Sequence, residues 1–341
     1  MNLSAELTAL IEKVKAIVGY FKRSTKAWEK LKKFQIQADK SVKRPLQSVC
    51  TRWNSLFYML ERMLEIKEEV NSALSNLDST ALSLSQIEWE ICEHVCHILR
   101  PCEEVTKEIS GQKYVAGSMV IPITTGLISC LENLDSRLYH PTAQCLQQDL
   151  ISKLKKRFVN LDKSRIFTRA MFLDPRFKLY FEDPTVAENT KQSIIQSVTS
   201  LINKEDRKQP IAPAASEEEE QPRPSASSST FRSIWNHYNK KMQNIQPKGT
   251  GQSRAIIEVQ RYLEDKIIMP DKNTSPLNWW KEHRNIYPHL YTLAVTTLNT
   301  MATSVPCERI FSACGNLIND RRTRLGCRKV QQLMFLNQNT D

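Results

Sequence analysis

The stretch IEWEICEHVCHILRPCEEVTKEI, residues 87–109, decides the fold class. Its apolar residues Ile87, Ile91, Val95, Ile98, Cys102, Val105 and Ile109 step by four, four, three, four, three and four, the repeat of one helix face rather than the alternation of a strand. The pattern runs through Pro101, which predicts a kink, because proline removes a backbone donor and crowds the preceding turn. Working outward, Leu7, Leu10, Ile11, Val14, Ile17, Val18 and Phe21 describe another helix, and Leu56, Leu60, Met63, Leu64 and Val70 a third. Further helices are expected at about 119–134, 143–159 and 190–203, while Leu46 to Thr51 suits one short strand. The chain reads as mainly α.

Composition narrows the chemistry. At a usage of roughly 7% a chain this long would carry about 24 glycines, and this one of 341 residues carries 8. No G-x-G-x-x-G or G-K-[ST] occurs, which removes the dinucleotide and P-loop enzymes, and no G-x-S-x-G frames a hydrolase serine. Nine cysteines, an odd and scattered set without a charged-then-apolar leader, predict a reducing compartment rather than a disulfide framework. No apolar run approaches the ~18 residues of a membrane helix.

The 48 Lys and Arg against 37 Asp and Glu leave a net charge of +11, which favours a polyanionic partner, with nucleic acid first. Residues 1–53 hold twelve cations and four acids, a local excess of +8. There Lys22, Lys26, Lys30 and Lys33 recur at helical spacing, with Trp28, Leu31 and Phe34 on the apolar side, so the lysines form either a DNA-binding stripe or a solvated face. Cys92, His94, Cys96, His97 and Cys102 carry zinc-type ligands, yet Cys102 lies on the apolar stripe and Cys92 and Cys96 flank it, as small buried hydrophobes do. No metal or other cofactor is expected. Glu308 follows Pro306 at a predicted helix start, where a carboxylate complements the positive helix end.

Residues 209–230, QPIAPAASEEEEQPRPSASSST, hold four prolines, five serines and no aromatic residue, and read as a disordered linker. Structure is expected to resume with Phe231, Ile234, Trp235 and Tyr238, then with Ile256, Val259, Tyr262 and Leu263. From Pro276 to Asn337 runs the densest series of large apolar side chains in the chain, all expected to be packed.

Seven segments together resemble the C-terminal two thirds of hAT-superfamily transposases, and most closely the domesticated BED-type zinc-finger proteins of that superfamily. In chain order they are Thr51-Arg-Trp-Asn-Ser55, Phe172-Leu-Asp-Pro-Arg-Phe-Lys178, Pro276-Leu-Asn-Trp-Trp-Lys281, Tyr287-Pro-His-Leu290, Ser304-Val-Pro-Cys-Glu-Arg-Ile-Phe-Ser312, Arg321-Arg-Thr-Arg-Leu325 and Phe335-Leu-Asn337. The resemblance implies an RNase H-like core interrupted by a large helical insertion, and a C-terminal region that closes the core and dimerises. It therefore implies an incomplete RNase H-like core with few short strands. The expected boundaries are a basic helical remnant of that core at 1–55, a helical insertion at 56–208, the linker at 209–230, and a C-terminal helical region at 231–341 with its dimerisation segment at about 256–338.

In the family, catalysis is two-metal phosphoryl transfer held by three carboxylates. Glu308 matches the third. The two aspartates that precede T-R-W-N-S in longer relatives have no counterpart, since only Asp39 lies between Met1 and Arg52, outside any strand-end setting. The expected protein is thus a non-enzymatic, nuclear, transposase-derived dimer that binds DNA and has no small-molecule substrate. The rivals are a fragment of an active transposase and a protein-interaction scaffold. The expected DNA contacts are Lys22, Lys26, Lys30, Lys33, Arg52 and Trp53, the last matching a tryptophan implicated in stacking near cleaved DNA ends. The expected dimer contacts are Trp279, Trp280, Tyr287, Leu290, Ile310, Phe311, Leu333, Phe335 and Leu336.

Overall fold

A computed structural model describes residues 4–49, 52–77, 82–110, 117–208, 238, 249–269, 275–317 and 325–339. Helices dominate, and no strand occurs among the described residues. The chain packs as two units, one of residues 1–167 with 301–341 and the other of residues 168–300. The proline-rich stretch 209–230 and the triplet Phe231, Ile234 and Trp235 lie outside the described residues.

The first unit opens with α1, Ala5–Arg23, whose first turn is closed by the Ser4 hydroxyl accepting from the Leu7 amide. All seven apolar residues named from its spacing are buried. Ser24 alone separates α1 from α2, Thr25–Gln37: its amide donates to Tyr20 O and its hydroxyl accepts from the Ala27 amide, so one residue ends one helix and starts the next. At the far end of α2, Asp39 takes φ 53°, the Lys40 amide bonds Gln35 O and the Asp39 amide bonds Ile36 O. That is a left-handed helix stop of the Schellman kind, with aspartate where glycine is usual.

Helices α3, Trp53–Glu65, and α4, Lys67–Asn76, lead to α5, Gln86–Ile109, on which α3 packs. The Ser85 and Glu88 pair forms a reciprocal capping box, and the helix runs through Pro101 as one element. Ile91, Val95 and Ile98 of the predicted stripe are buried, Cys102 and Val105 are partly buried against the same core, and Ile87 stands exposed one residue inside the first turn. Helices α6, Val120–Asn133, and α7, Pro141–Phe158, pack on α5 and on each other.

The strand expected at Leu46 to Thr51 does not form among the described residues 46–49. The backbone there belongs to no regular element, and side chains bond it at Lys43 and Val49. The Gln35 amide donates to Lys43 O at 3.0 Å and accepts from the Lys43 N–H at 2.6 Å, and the Ser55 hydroxyl serves both Val49 N and Val49 O. A backbone satisfied in this way needs no neighbouring strand. The few short strands of an RNase H-like core are likewise missing from the described residues.

In the second unit α8, Arg165–Phe172, begins just before the boundary and delivers the chain to F-L-D-P-R-F-K. Helix α9, Pro184–Lys208, packs against α10, Gly251–Glu264, and against α12, Pro288–Thr297, while α11, Pro276–His283, packs on α12. The F-L-D-P-R-F-K segment is the centre of this unit. Phe172 O accepts from the Tyr262 hydroxyl at 3.0 Å, and Leu173 O accepts from the Trp280 indole at 2.7 Å. Asp174, fully buried, takes both guanidinium arms of Arg176 at 2.9 and 2.7 Å. Lys178, also buried, donates to Tyr262 O at 2.6 Å and Asp265 O at 2.5 Å, carbonyls at the end of α10 that have no partner within the helix.

The last two helices are α13, Val305–Leu317, and α14, Cys327–Asn339, which pack on each other. Contrary to expectation, the side chains from Pro276 to Asn337 are not all packed. Trp280, Tyr287 and Leu290 are buried, whereas Phe311 is 73% and Phe335 67% exposed. Two short helices can bury only one stripe apiece against each other, and these side chains lie off that stripe.

Candidate functional site

The basic surface is an elbow rather than one stripe. Lys22 belongs to α1, and Lys26, Lys30 and Lys33 to α2, because Ser24 interrupts the helix between them. Lys22, Lys26 and Lys33 are exposed, and Lys30 is half-buried with its ammonium 5.6 Å from the centre of the Phe34 ring. None of the four has an ion-pair partner among the described residues. Other lysines of the same unit do: Lys13 meets Glu88 at 2.7 Å, Lys40 meets Glu69 at 2.7 Å and Lys43 meets Glu65 at 3.2 Å. Cationic charge is left over at the elbow, as it is at Lys32, Lys67 and Lys156 of the same unit among the described residues. Beneath it, Ala27 and Leu31 are buried and Trp28 is half-buried.

Arg52 precedes α3 without capping it through its side chain, and Trp53, the first residue of α3, is 37% exposed. The Thr51 end of T-R-W-N-S lies outside the described residues, and Ser55 is spent on the Val49 backbone. Two further groups belong with this surface. Arg23 stands in the last turn of α1, and the Arg44 guanidinium stacks 4.7 Å over the Trp28 ring. Arg23 escapes a reading by spacing because it falls between the four-residue steps. Arg44 escapes it because it sits outside any helix, where periodicity carries no signal.

The C-terminal contacts divide. Trp280, Tyr287 and Leu290 are interior side chains of the second unit, and Trp279 lies half-buried with His283 stacked on it at 3.9 Å. The Tyr287 hydroxyl donates to Asp265 at 3.2 Å, and burial together with that carboxylate pushes its pKa up to about 12. On α13 and α14, Phe311, Leu333, Phe335 and Leu336 are exposed and Ile310 is half-buried.

Glu308 is exposed in the first turn of α13, where the Ser304 hydroxyl donates to it at 2.6 Å and the Glu308 amide bonds Ser304 O. Asp39 occupies the left-handed stop of α2. Cys92 and Cys96 are buried in the α5 core, and burial pushes both thiols up to about 12. His94 accepts from the His140 amide at 3.1 Å and His97 bonds the Tyr139 hydroxyl, so these imidazoles tie α5 to the start of α7. Among the described residues, no helix is long and apolar enough to cross a membrane.

Two family models match the chain. The ZBED1 RNase-like helical domain covers residues 3–98, running across Ser55, and the hAT family C-terminal dimerisation region covers 258–340. Relatives align along almost all of it. Zinc finger BED domain-containing protein 4 of Homo sapiens is 28% identical over 93% of this chain and 26% of its own length. Putative transcriptional regulator tpeD of Talaromyces stipitatus is 25% identical over 95% of the chain and 35% of its own length. The Putative AC transposase of Zea mays is 23% identical over 97% of the chain and 41% of its own length. The chain thus spans between a quarter and about two fifths of the curated relatives it matches.

Proposed function

From a chain that carries both regions, and so belongs with the hAT transposases and their BED-type zinc-finger relatives, we propose a DNA-binding, self-associating protein of the nucleus that acts in transcriptional regulation without catalysing strand transfer. The observation that carries the DNA reading is the elbow, Lys22, Lys26, Lys30 and Lys33, which has no ion-pair partner among the described residues, while Lys13, Lys40 and Lys43 each have an acidic partner. Free ammonium groups on a helix surface contact phosphates and supply affinity without sequence information. If each neutralises one phosphate, the logarithm of the binding constant falls with the logarithm of salt at a slope of roughly −3 to −4 on duplex DNA. Fluorescence anisotropy across a salt series measures that slope. Replacing the four lysines by glutamine flattens it and leaves folding intact. Binding that is absent, or insensitive to salt, overturns the reading and leaves a protein-interaction scaffold in its place.

Self-association draws on the exposed apolar side chains of α13 and α14 inside the family's dimerisation region. Phe311→Ser with Phe335→Ser dissociates the dimer in sedimentation velocity at micromolar concentration, and a wild-type chain that sediments as a monomer refutes it. The non-catalytic reading is supported by what the acids do. Glu308 is engaged with Ser304 at a helix start, and Asp39 stops a helix. Metal-dependent plasmid nicking that disappears in Glu308→Gln overturns it.

A further inference from the structure

The joint between α1 and α2 carries a hydroxyl that the DNA reading leaves unused. The run Lys22-Arg23-Ser24-Thr25 places cations two and three residues before Thr25, and no other serine or threonine of the sequence has Lys or Arg at both of those positions. No acid lies from Lys13 to Trp28, and the first beyond is Glu29. The two hydroxyls of the joint differ. Ser24 is half-buried and its hydroxyl accepts from the Ala27 amide, whereas Thr25 is exposed and its hydroxyl has no hydrogen-bond partner among the described residues. Ser24 is also the only residue between the two helices, with extended backbone at φ −95° and ψ 110°. Protein kinases take their substrates as extended chain and select them by charge pattern. Between Ala5 and Gln37 this break is where the chain enters such a cleft with the least unwinding, the last turn of α1.

We propose that Thr25 is a phosphorylation site for a protein kinase that selects basic sequences, and that its phosphate switches off the elbow. This rests on the DNA-binding reading above. In the transfer, Thr25 Oγ takes the γ-phosphoryl group of a nucleoside triphosphate. The new oxygen–phosphorus bond forms as the bond from that phosphorus to the β-phosphate oxygen breaks, the hydroxyl proton leaves, and a nucleoside diphosphate departs. The product adds about −1.5 to −2 charges at pH 7. Thr25 opens α2, whose first turn holds no acid, so the phosphate sits at a positive helix end and leaves the helix formed, despite Glu29 one turn on. Lying in the chain between Lys22 and Lys26, it cancels about two of the four elbow charges and competes with DNA phosphates for their ammonium groups.

The full chain is incubated with ATP and, separately, with two kinases of basic specificity, one cyclic-AMP-dependent and one calcium- and phospholipid-dependent. Peptide mass spectrometry is expected to find one phosphate, on Thr25. It is absent from Thr25→Ala, retained in Ser24→Ala, and incorporated more slowly when Lys22→Gln and Arg23→Gln are combined. In fluorescence anisotropy on duplex DNA the modified chain gives a salt slope shallower by about two, since two fewer phosphates are neutralised. Thr25→Ala, treated in the same way, keeps the slope of the unmodified chain. Phosphate on Ser24 instead, incorporation by neither enzyme, or a modified chain with an unchanged slope overturns the proposal while the DNA reading stands. An unmodified chain that does not bind DNA overturns both.

Discussion

Replacing Lys178 by methionine is the sharpest test of how the second unit holds together. The ammonium of Lys178 is buried and donates to Tyr262 O and Asp265 O, the carbonyls that α10 leaves open at its end. Methionine keeps most of the stem's volume and removes both bonds. Two charge-assisted bonds contribute about 1.5–3 kcal/mol each, and two carbonyls left dry cost a similar amount. Against this stands the relief of no longer burying a charge, which offsets several kcal/mol. The net loss expected is about 3 kcal/mol, so opening of α10 becomes roughly a hundredfold more frequent. Hydrogen exchange of the α10 amides, followed by mass spectrometry of peptides within 251–264, reads that opening directly. The charge leaves a second signature. Burial lowers the pKa of Lys178, against the pull of Asp265. The folded state therefore binds this proton less tightly than the unfolded chain does, and stability rises with pH from the lowered value up to the ordinary lysine range near about 10.4. Exchange in Lys178→Met within twofold of the wild type, with the alkaline rise unchanged, would refute the account of Lys178 as the staple of this helix end.

Single groups elsewhere in the chain carry their own expectations. Asp39→Gly stabilises the first unit by about 0.5–1 kcal/mol, because glycine adopts a positive φ without strain, and urea unfolding shows it as a higher midpoint at unchanged slope. Tyr287, pushed up to about 12, contributes stability that is complete below the ordinary tyrosine pKa of about 10 and is lost as pH rises towards 12. Tyr287→Phe lessens that alkaline loss and costs about 1 kcal/mol at neutral pH, measured by thermal unfolding at a series of pH values. Alkylation followed by peptide mass spectrometry labels Cys307 in the folded chain, and labels Cys92 and Cys96 only in denaturant, since they are buried and their thiolates disfavoured. Labelling of Cys92 as fast as Cys307 would contradict the burial of the α5 core.

Much of the fold is legible in the sequence because it is local. Seven apolar residues at helical spacing name the buried face of α1 outright, and the steps through 87–109 name α5 with its proline. The break between α1 and α2 is not legible, since the lysine spacing continues across Ser24 while the backbone turns there. At Leu46 the residue types suit a strand that does not form among the described residues, because they carry no sign that the side chains of Gln35 and Ser55 bond the backbone on either side. In the C-terminal region, apolar character alone cannot separate Trp280 from Phe311. Trp280 is inside because its indole reaches Leu173 O, 107 residues away in the chain, and no periodicity encodes that meeting. The acids divide likewise: charge and position mark Glu308 and Asp39, but only the hydrogen bonds give each its work at a helix end.

The segment Phe172 to Lys178 has a wider implication. Its carbonyls, its buried ion pair and its buried amine are all turned inward, towards Tyr262, Trp280 and the end of α10. None of them is free to touch a nucleic acid, a metal or a second protein. The words by which such a sequence is recognised are therefore the joinery of a scaffold and not its tools. A descendant that abandoned the ancestral reaction would have to keep these words to remain folded, while the residues of the reaction could drift unremarked. Kinship detected through this segment reports on architecture, and whether a given descendant still reacts is decided at other residues, Glu308 among them.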